Sequence, residues 1–148
     1  LAFVGQRSFR ERVLRAYQEQ CAVCRLRHQE LLEAAHILPD SDPRGEPVVS
    51  NGLALCNLHH AAYDSNILGV TPAVRKSVRP VPAELPIPQA PELKVEVRLD
   101  VLQERDGPML EWGLQHFHGK DIYVPHRAEL RPNPEFLADR YALFQQAH

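Results

Sequence analysis

Several things are scarce in this chain. It has three cysteines in 148 residues, one methionine, one tryptophan and only 7% aromatic residues. Three cysteines cannot close a disulfide framework, so the fold has to rest on an apolar core or on a metal. No apolar run approaches the ~18 residues of a membrane-spanning helix. No basic stretch followed by an apolar one opens the chain as a secretory leader would. A large charge of one sign is missing too: the formal net charge is −2, which speaks against a protein that coats nucleic acid by charge alone. The first residue is Leu1 rather than Met, and the expectation is a piece of a longer, cytoplasmic protein.

What is present is unevenly placed. Residues 1–27 carry six arginines against Glu11 and Glu19, whereas residues 28–70 carry Arg44 alone against six carboxylates. A basic helix beside an acidic, histidine-containing centre can serve as a phosphate-gripping surface beside a cation site; it can equally be a solvated face. Ser8 and Glu11 fit a capping box, and Phe9, Val13, Ala16, Tyr17 and Gln20 follow helical spacing, predicting a helix over 9–20. A strand is expected over Leu31–Ile37, a loop over Pro39–Pro47, a brief pairing strand at 53–55, a helix over Leu58–Asp64 and a strand over Ile67–Val70. Residues 71–93 hold six of the thirteen prolines and read as an extended linker or strap. Beyond it, Val95, Val97, Leu99 and Val101 alternate as in a strand. A helix is expected over Met109–His116, a strand over Ile122–Val124, and a last helix opening at Asn133-Pro134.

The most informative constellation is Cys21-x2-Cys24 followed, after thirty-one intervening residues, by Cys56-x2-His59. Two short pairs of soft donors suit the tetrahedral geometry of a structural zinc, and together they use every cysteine in the chain. Cysteines that are merely small buried hydrophobes do not fall into two such pairs. A second set lies inside the first: His36, Asn51 and His60. A structural metal at His59 would pin the start of the helix that carries His60.

Taken together, the Cys-x2-Cys knuckle, Glu33-Ala34-Ala35-His36-Ile37-Leu38-Pro39 and Asn51-Gly52-Leu53-Ala54-Leu55-Cys56-Asn57-Leu58-His59-His60 resemble an HNH endonuclease, most of all the HNH domains of modification-dependent restriction endonucleases. The likeness covers roughly residues 7–70. Asp106-Gly107-Pro108-Met109-Leu110, Gly113-Leu114-Gln115, His118-Gly119 and Arg140-Tyr141 look like the extension that follows such domains. The resemblance implies an α+β fold: a zinc-supported ββα-metal (His-Me finger) core at 1–70 with an N-terminal helix, the strap at 71–93, and a small C-terminal α/β extension at 94–148 packing on the core. It implies metal-dependent hydrolysis of DNA phosphodiester bonds. His36 would be the general base, Asn51 would order its loop, and His60 would ligate one catalytic divalent cation, Mg²⁺ or Mn²⁺, separate from the zinc. An imidazole titrates near neutrality and is suited to taking a proton from water.

One position departs from the family pattern. Many HNH sites have Asp or His directly before the base, as a metal ligand; here it is Ala35. Asp64, four residues after His60 and on the same helical face, is the first substitute, with Glu33 and Asp40 behind it. Arg7, Arg10 and Arg15 are candidates for phosphate contact. The partners expected are double-stranded DNA, an upstream reader domain and a second copy of the chain, since cutting both strands takes two sites; no membrane is expected. A competing reading is a non-catalytic zinc module that binds nucleic acid or protein. A third, an HNH-type toxin acting on other cells, has no export signal behind it.

Overall fold

The computed structural model describes residues 2–72 and 92–147, with side chains from Phe9 onward. Ser8 and the Arg7 side chain lie outside the described side chains, and nearly all of the proline-rich strap lies outside the described residues. Among the described residues no helix is long and apolar enough to cross a membrane.

Helix α1 spans Ala2–Ala16. It begins before Ser8, so that residue is inside the helix and is not its N-cap. Phe9, Val13, Leu14 and Tyr17 form the buried stripe, as helical spacing dictates. The helix stops earlier than residue 20: Gln18 and Glu19 take left-handed backbone angles, and the Glu19 amide folds back onto the Leu14 carbonyl at 2.7 Å. That turn delivers the chain into the Cys21–Cys24 knuckle, closed by bonds from Cys21 N to Leu26 O and from Arg25 N to Cys21 O, both 2.9 Å.

Strands β1 (Leu32–His36) and β2 (Gly52–Cys56) form an antiparallel pair with His36 opposite Gly52 and Leu32 opposite Cys56. All five β2 residues are buried, since α1 packs against this hairpin. Helix α2, Asn57–Asp64, follows β2 directly. Its buried face is His59, Ala62 and Tyr63, which leaves His60 and Asp64, one turn apart, on another face.

β3 (Leu68–Val70) pairs antiparallel with β4 (Val95–Val97). The expected strand through Val101 is cut short. β3 offers only three residues to pair with, and the Arg98 amide is taken by the Ile67 carbonyl at 2.9 Å. The chain then turns into a short helix α3, Leu99–Leu102, with Val101 buried and Leu99 67% exposed. Val97 ends the strand and Val101 is the buried residue of the helical turn, so the buried positions continue across the change of element while Leu99 turns outward. Residues Met109–Leu114 form a π-helical turn and Gln115–Phe117 a 3₁₀ turn, in place of the regular helix expected there. The predicted strand at Ile122–Val124 reduces to one bridge, Lys94 with Asp121, plus bonds from Ile122 N to Leu93 O and from Tyr123 N to Ala22 O.

The last helix, α4 (Pro134–Gln146), starts where the sequence says: Asn133 Oδ1 accepts the Glu135 amide at 2.9 Å. Phe144 lies flat on Gly69, where a Cβ would stand 2.6 Å from the ring, so β3 needs glycine for α4 to dock. One apolar cluster runs through α1, both hairpins, α2 and α4. Docking by Phe144 sets the position of Arg140, one turn earlier on the same face of α4.

Candidate functional site

Cys21, Cys24, Cys56 and His59 bring one donor atom each within 4.8 Å of one another, an arrangement that could hold a metal ion. The Cys21 Sγ to His59 Nδ1 distance is 3.6 Å, Cys24 Sγ to Cys56 Sγ 3.9 Å, and Cys56 Sγ to His59 Nδ1 3.2 Å. A tetrahedron with Zn–S bonds of about 2.3 Å has edges of about 3.8 Å, shorter where a nitrogen takes part, so the donor set fits. His59 Nε2 donates to the Gly113 carbonyl at 2.7 Å, which leaves Nδ1 as the atom available to a metal; such a bond is the usual outer support of a metal-bound imidazole. The π-helical turn is what aims that carbonyl at the ring. Three crowded sulfurs also share protons unequally. Hydrogen bonds with Cys21 and Cys24 push Cys56 down, and hydrogen bonds with Cys21 and Cys56 push Cys24 up. Burial works against a charged His59, but its bonds to the same sulfurs prevail and raise it to about 10. A divalent cation would take the place of those shared protons, since a coordinating thiol is deprotonated.

The next residue, His60, faces the other way. It borders an open cleft of about 490 Å³ that His36, Asp40, Asp64 and Arg140 also line. His60 Nε2 stands 3.1 Å from Asp64 Oδ2, and its Nδ1 3.2 Å from Glu33 Oε1. His36, at the end of β1, has a side chain 34% exposed, with Nε2 3.6 Å from Asp40 Oδ1. Its ring stacks on Phe9, with centroids 4.6 Å apart and planes 25° off parallel. Ala35, by contrast, is fully buried in the core; a carboxylate at that position would have to be desolvated to exist there.

Asn51 is also fully buried and does not serve as a cleft wall. Its Oδ1 accepts the Leu38 amide at 2.9 Å, and its Nδ2 donates to the carbonyls of Leu38 at 3.0 Å and Glu46 at 3.1 Å. The loop leaving His36 is therefore stitched at both ends to one amide side chain. Asp40 stands beside His36 and Glu33 beside His60.

The most instructive residue that sequence reasoning did not place here is Arg140. Its guanidinium donates to the carbonyls of His36 (3.3 Å), Ile37 (2.9 Å) and Tyr63 (3.0 Å), and its Nη2 lies 3.5 Å from Asp64 Oδ1. It also lies over the Tyr63 ring, 4.2 Å from the centroid. Helix α4 thus ties together the end of β1 and the end of α2, the two elements that carry the cleft histidines. The available signal was its place in the Arg140-Tyr141 pair of the family-like tail. The α1 arginines are used differently from one another. Arg10 donates to the carbonyls of Gln29 and Leu32, at 3.1 and 3.0 Å, and Arg12 to that of Pro47 at 2.9 Å. Arg15 lines a shallow hollow with Gln18, Glu19 and Arg27.

Comparison with known proteins bears on the family and the fold. Residues 21–71 match the family model described as HNH endonuclease. Among solved structures, one titled "Modification dependent TagI restriction endonuclease" is similar over 92% of this chain, with a TM-score of 0.52 and 16% identity. That is a likeness of fold, and the chain spans 37% of that structure's length. No curated protein matches the chain. The α+β fold with an HNH-type core, and the resemblance to HNH domains of restriction endonucleases, thus stand on the matched segment and the shared fold together.

Proposed function

We propose that this chain is a metal-dependent DNA endonuclease module, the cutting part of a modification-dependent restriction enzyme whose base-reading part lies elsewhere. The observation that carries the reading is the convergence of His36, His60 and Asp64 on one open cleft, braced by the Cys/His cluster one residue away. In this reading zinc is held by Cys21, Cys24, Cys56 and His59 and keeps α2 in place. His60 Nε2 and Asp64 Oδ2, 3.1 Å apart, would hold the catalytic cation, Mg²⁺ or Mn²⁺. That cation, when bound, neutralises the phosphate and the departing 3′-oxygen.

The chain's own residues do the rest. His36 takes the proton of a water lined up on the phosphorus, and the oxygen–phosphorus bond forms as the phosphorus–3′-oxygen bond breaks. Phe9 fixes the plane of the His36 ring, and Asn51 fixes the loop behind it. Arg15 and its neighbour Arg27 offer charge to the DNA backbone, and two copies acting together would cut both strands.

Incubating the protein with supercoiled plasmid and Mg²⁺ or Mn²⁺ tests the reading. Wild type should nick or linearise the plasmid, and His36→Ala should be slower by about 10²–10⁴-fold, the usual worth of a general base, with its metal content unchanged. Equal cleavage by both proteins would remove His36 from the chemistry. A non-catalytic zinc module gains some support from the buried Ala35, which denies the site one ligand. It would leave no new DNA ends after long incubation in either ion.

A further inference from the structure

The two nitrogens of His60 face two different carboxylates, and an uncharged imidazole has a single N–H to give. On one side, Nδ1 and Glu33 Oε1 are 3.2 Å apart with hydrogen-bond geometry. On the other, Nε2 and Asp64 Oδ2 stand 3.1 Å apart at the cleft, and the second Asp64 oxygen lies 3.5 Å from the Arg140 guanidinium. Glu33 is itself held. With its amide nitrogen turned toward Glu33, Asn57 at the start of α2 donates to the same Oε1 at 2.8 Å and to the Leu31 carbonyl at 3.3 Å. Glu33 is on β1, paired with Leu55 of β2, so the carboxylate comes from a strand fixed by its neighbour.

We infer that Glu33 is a positioning residue that acts through His60: it accepts a hydrogen bond from Nδ1–H, holds the ring in that tautomer, and leaves the Nε2 lone pair turned toward Asp64. This rests on the reading of the cleft as a cation site, and it assigns Glu33 to the support of that site, behind the imidazole. The alternative, Glu33 as a direct ligand, would put the cation on the Nδ1 side, away from the Asp64 oxygen. A carboxylate behind a metal-binding imidazole raises the ring's basicity and fixes its orientation, and losing one weakens metal binding about 10–100-fold.

The test uses the zinc-replete chain. Two-dimensional ¹⁵N–¹H spectra of the His60 ring, recorded above the ring's own titration as followed in the same spectra, report which nitrogen carries the proton. Wild type should show the proton on Nδ1. Glu33→Gln keeps an acceptor oxygen and should keep that tautomer, while Glu33→Ala should move the ring to a mixture or to Nε2–H. Mn²⁺ affinity, read by electron paramagnetic resonance, should fall about 10–100-fold in Glu33→Ala and much less in Glu33→Gln, with zinc content and far-ultraviolet circular dichroism unchanged. Asp64→Asn should weaken Mn²⁺ without changing the tautomer. An Nε2-protonated ring in wild type, or an unchanged tautomer and Mn²⁺ affinity in Glu33→Ala, overturns the inference. Failure of the wild-type protein to cut plasmid would overturn the endonuclease reading instead, and the ring spectra would still decide the role of Glu33.

Discussion

The Cys21/Cys24/Cys56/His59 cluster and the His36/His60/Asp64 cleft share a helix and adjoin at His59 and His60, yet they are built in opposite ways. The cluster takes its donors from two knuckles, each four residues long, and three of its four residues are buried. The cleft is open to solvent and takes its walls from β1, the loop after it, α2 and α4, so that His36 and Arg140, 104 residues apart, meet there. Short pairs can be closed by one metal before the rest of the domain is formed. An open cleft has no such closure, so its geometry has to be imported from the elements around it. The difference predicts which perturbations destroy the fold and which merely loosen the site.

If the cluster holds zinc as proposed, removing that metal should have the largest effect. Structural zinc contributes on the order of 10 kcal/mol or more to folding in small domains, and here the cluster pins the α1–β1 connection to the start of α2. Cys56→Ser, or a strong chelator, should therefore abolish the cooperative unfolding transition seen by circular dichroism and release about one zinc per chain by elemental analysis. A chelated protein that keeps its native spectrum would move the weight of the fold to the apolar core.

Arg140→Gln comes next. It withdraws charged hydrogen bonds from three carbonyls and leaves Asp64 without its cation. The expected loss is about 2–4 kcal/mol of stability, judged from hydrogen bonds that involve a charged partner, measured by urea denaturation. Cleavage measured well below the new melting temperature should also fall, since the ends of β1 and α2 are no longer tied together. A stable, fully active Arg140→Gln would mean that the cleft is organised by α2 and β1 alone.

The same contrast explains what was legible in the amino-acid sequence. The cluster could be read outright, because its ligands are fixed by spacing within short segments. The helix at Asn133-Pro134 and the β1–β2 pairing were legible for a similar reason: caps and alternation are local. The start of α1 at Ala2 was missed because Ser8 offers the same local signal whether a helix begins there or runs through it. Strand β4 was drawn too long because the buried positions continue from Val97 to Val101 across the change of element, and the length of β3 decides where the strand ends. In the cleft, His36, His60 and Asp64 fell on one helix turn or one motif. Arg140 and the stacking of Phe9 on His36 depend on how α4 and α1 dock, which no short segment specifies.

Gly52→Ala is the smallest of these effects and the sharpest probe of that docking. Gly52 is the cross-strand partner of His36, and a Cβ there would stand 2.7 Å from Val13 Cγ2 and 3.1 Å from Phe9 Cζ. Val13 is fully buried and β-branched, so its methyl cannot rotate away cheaply. The Phe9 ring, stacked on His36, is then the group that yields. Overpacking of one methyl should cost about 1–2 kcal/mol, with the Cys/His cluster untouched. The distinguishing readout is catalytic: if Phe9 sets the plane of the His36 ring, kcat should fall several-fold more than the Mn²⁺ affinity of the cleft does. Phe9→Leu should reproduce that imbalance with no clash at residue 52. A Gly52→Ala protein that loses stability and keeps full kcat would show that the His36 ring is held from the Asp40 side, and that α1 supports the hairpin without tuning the base.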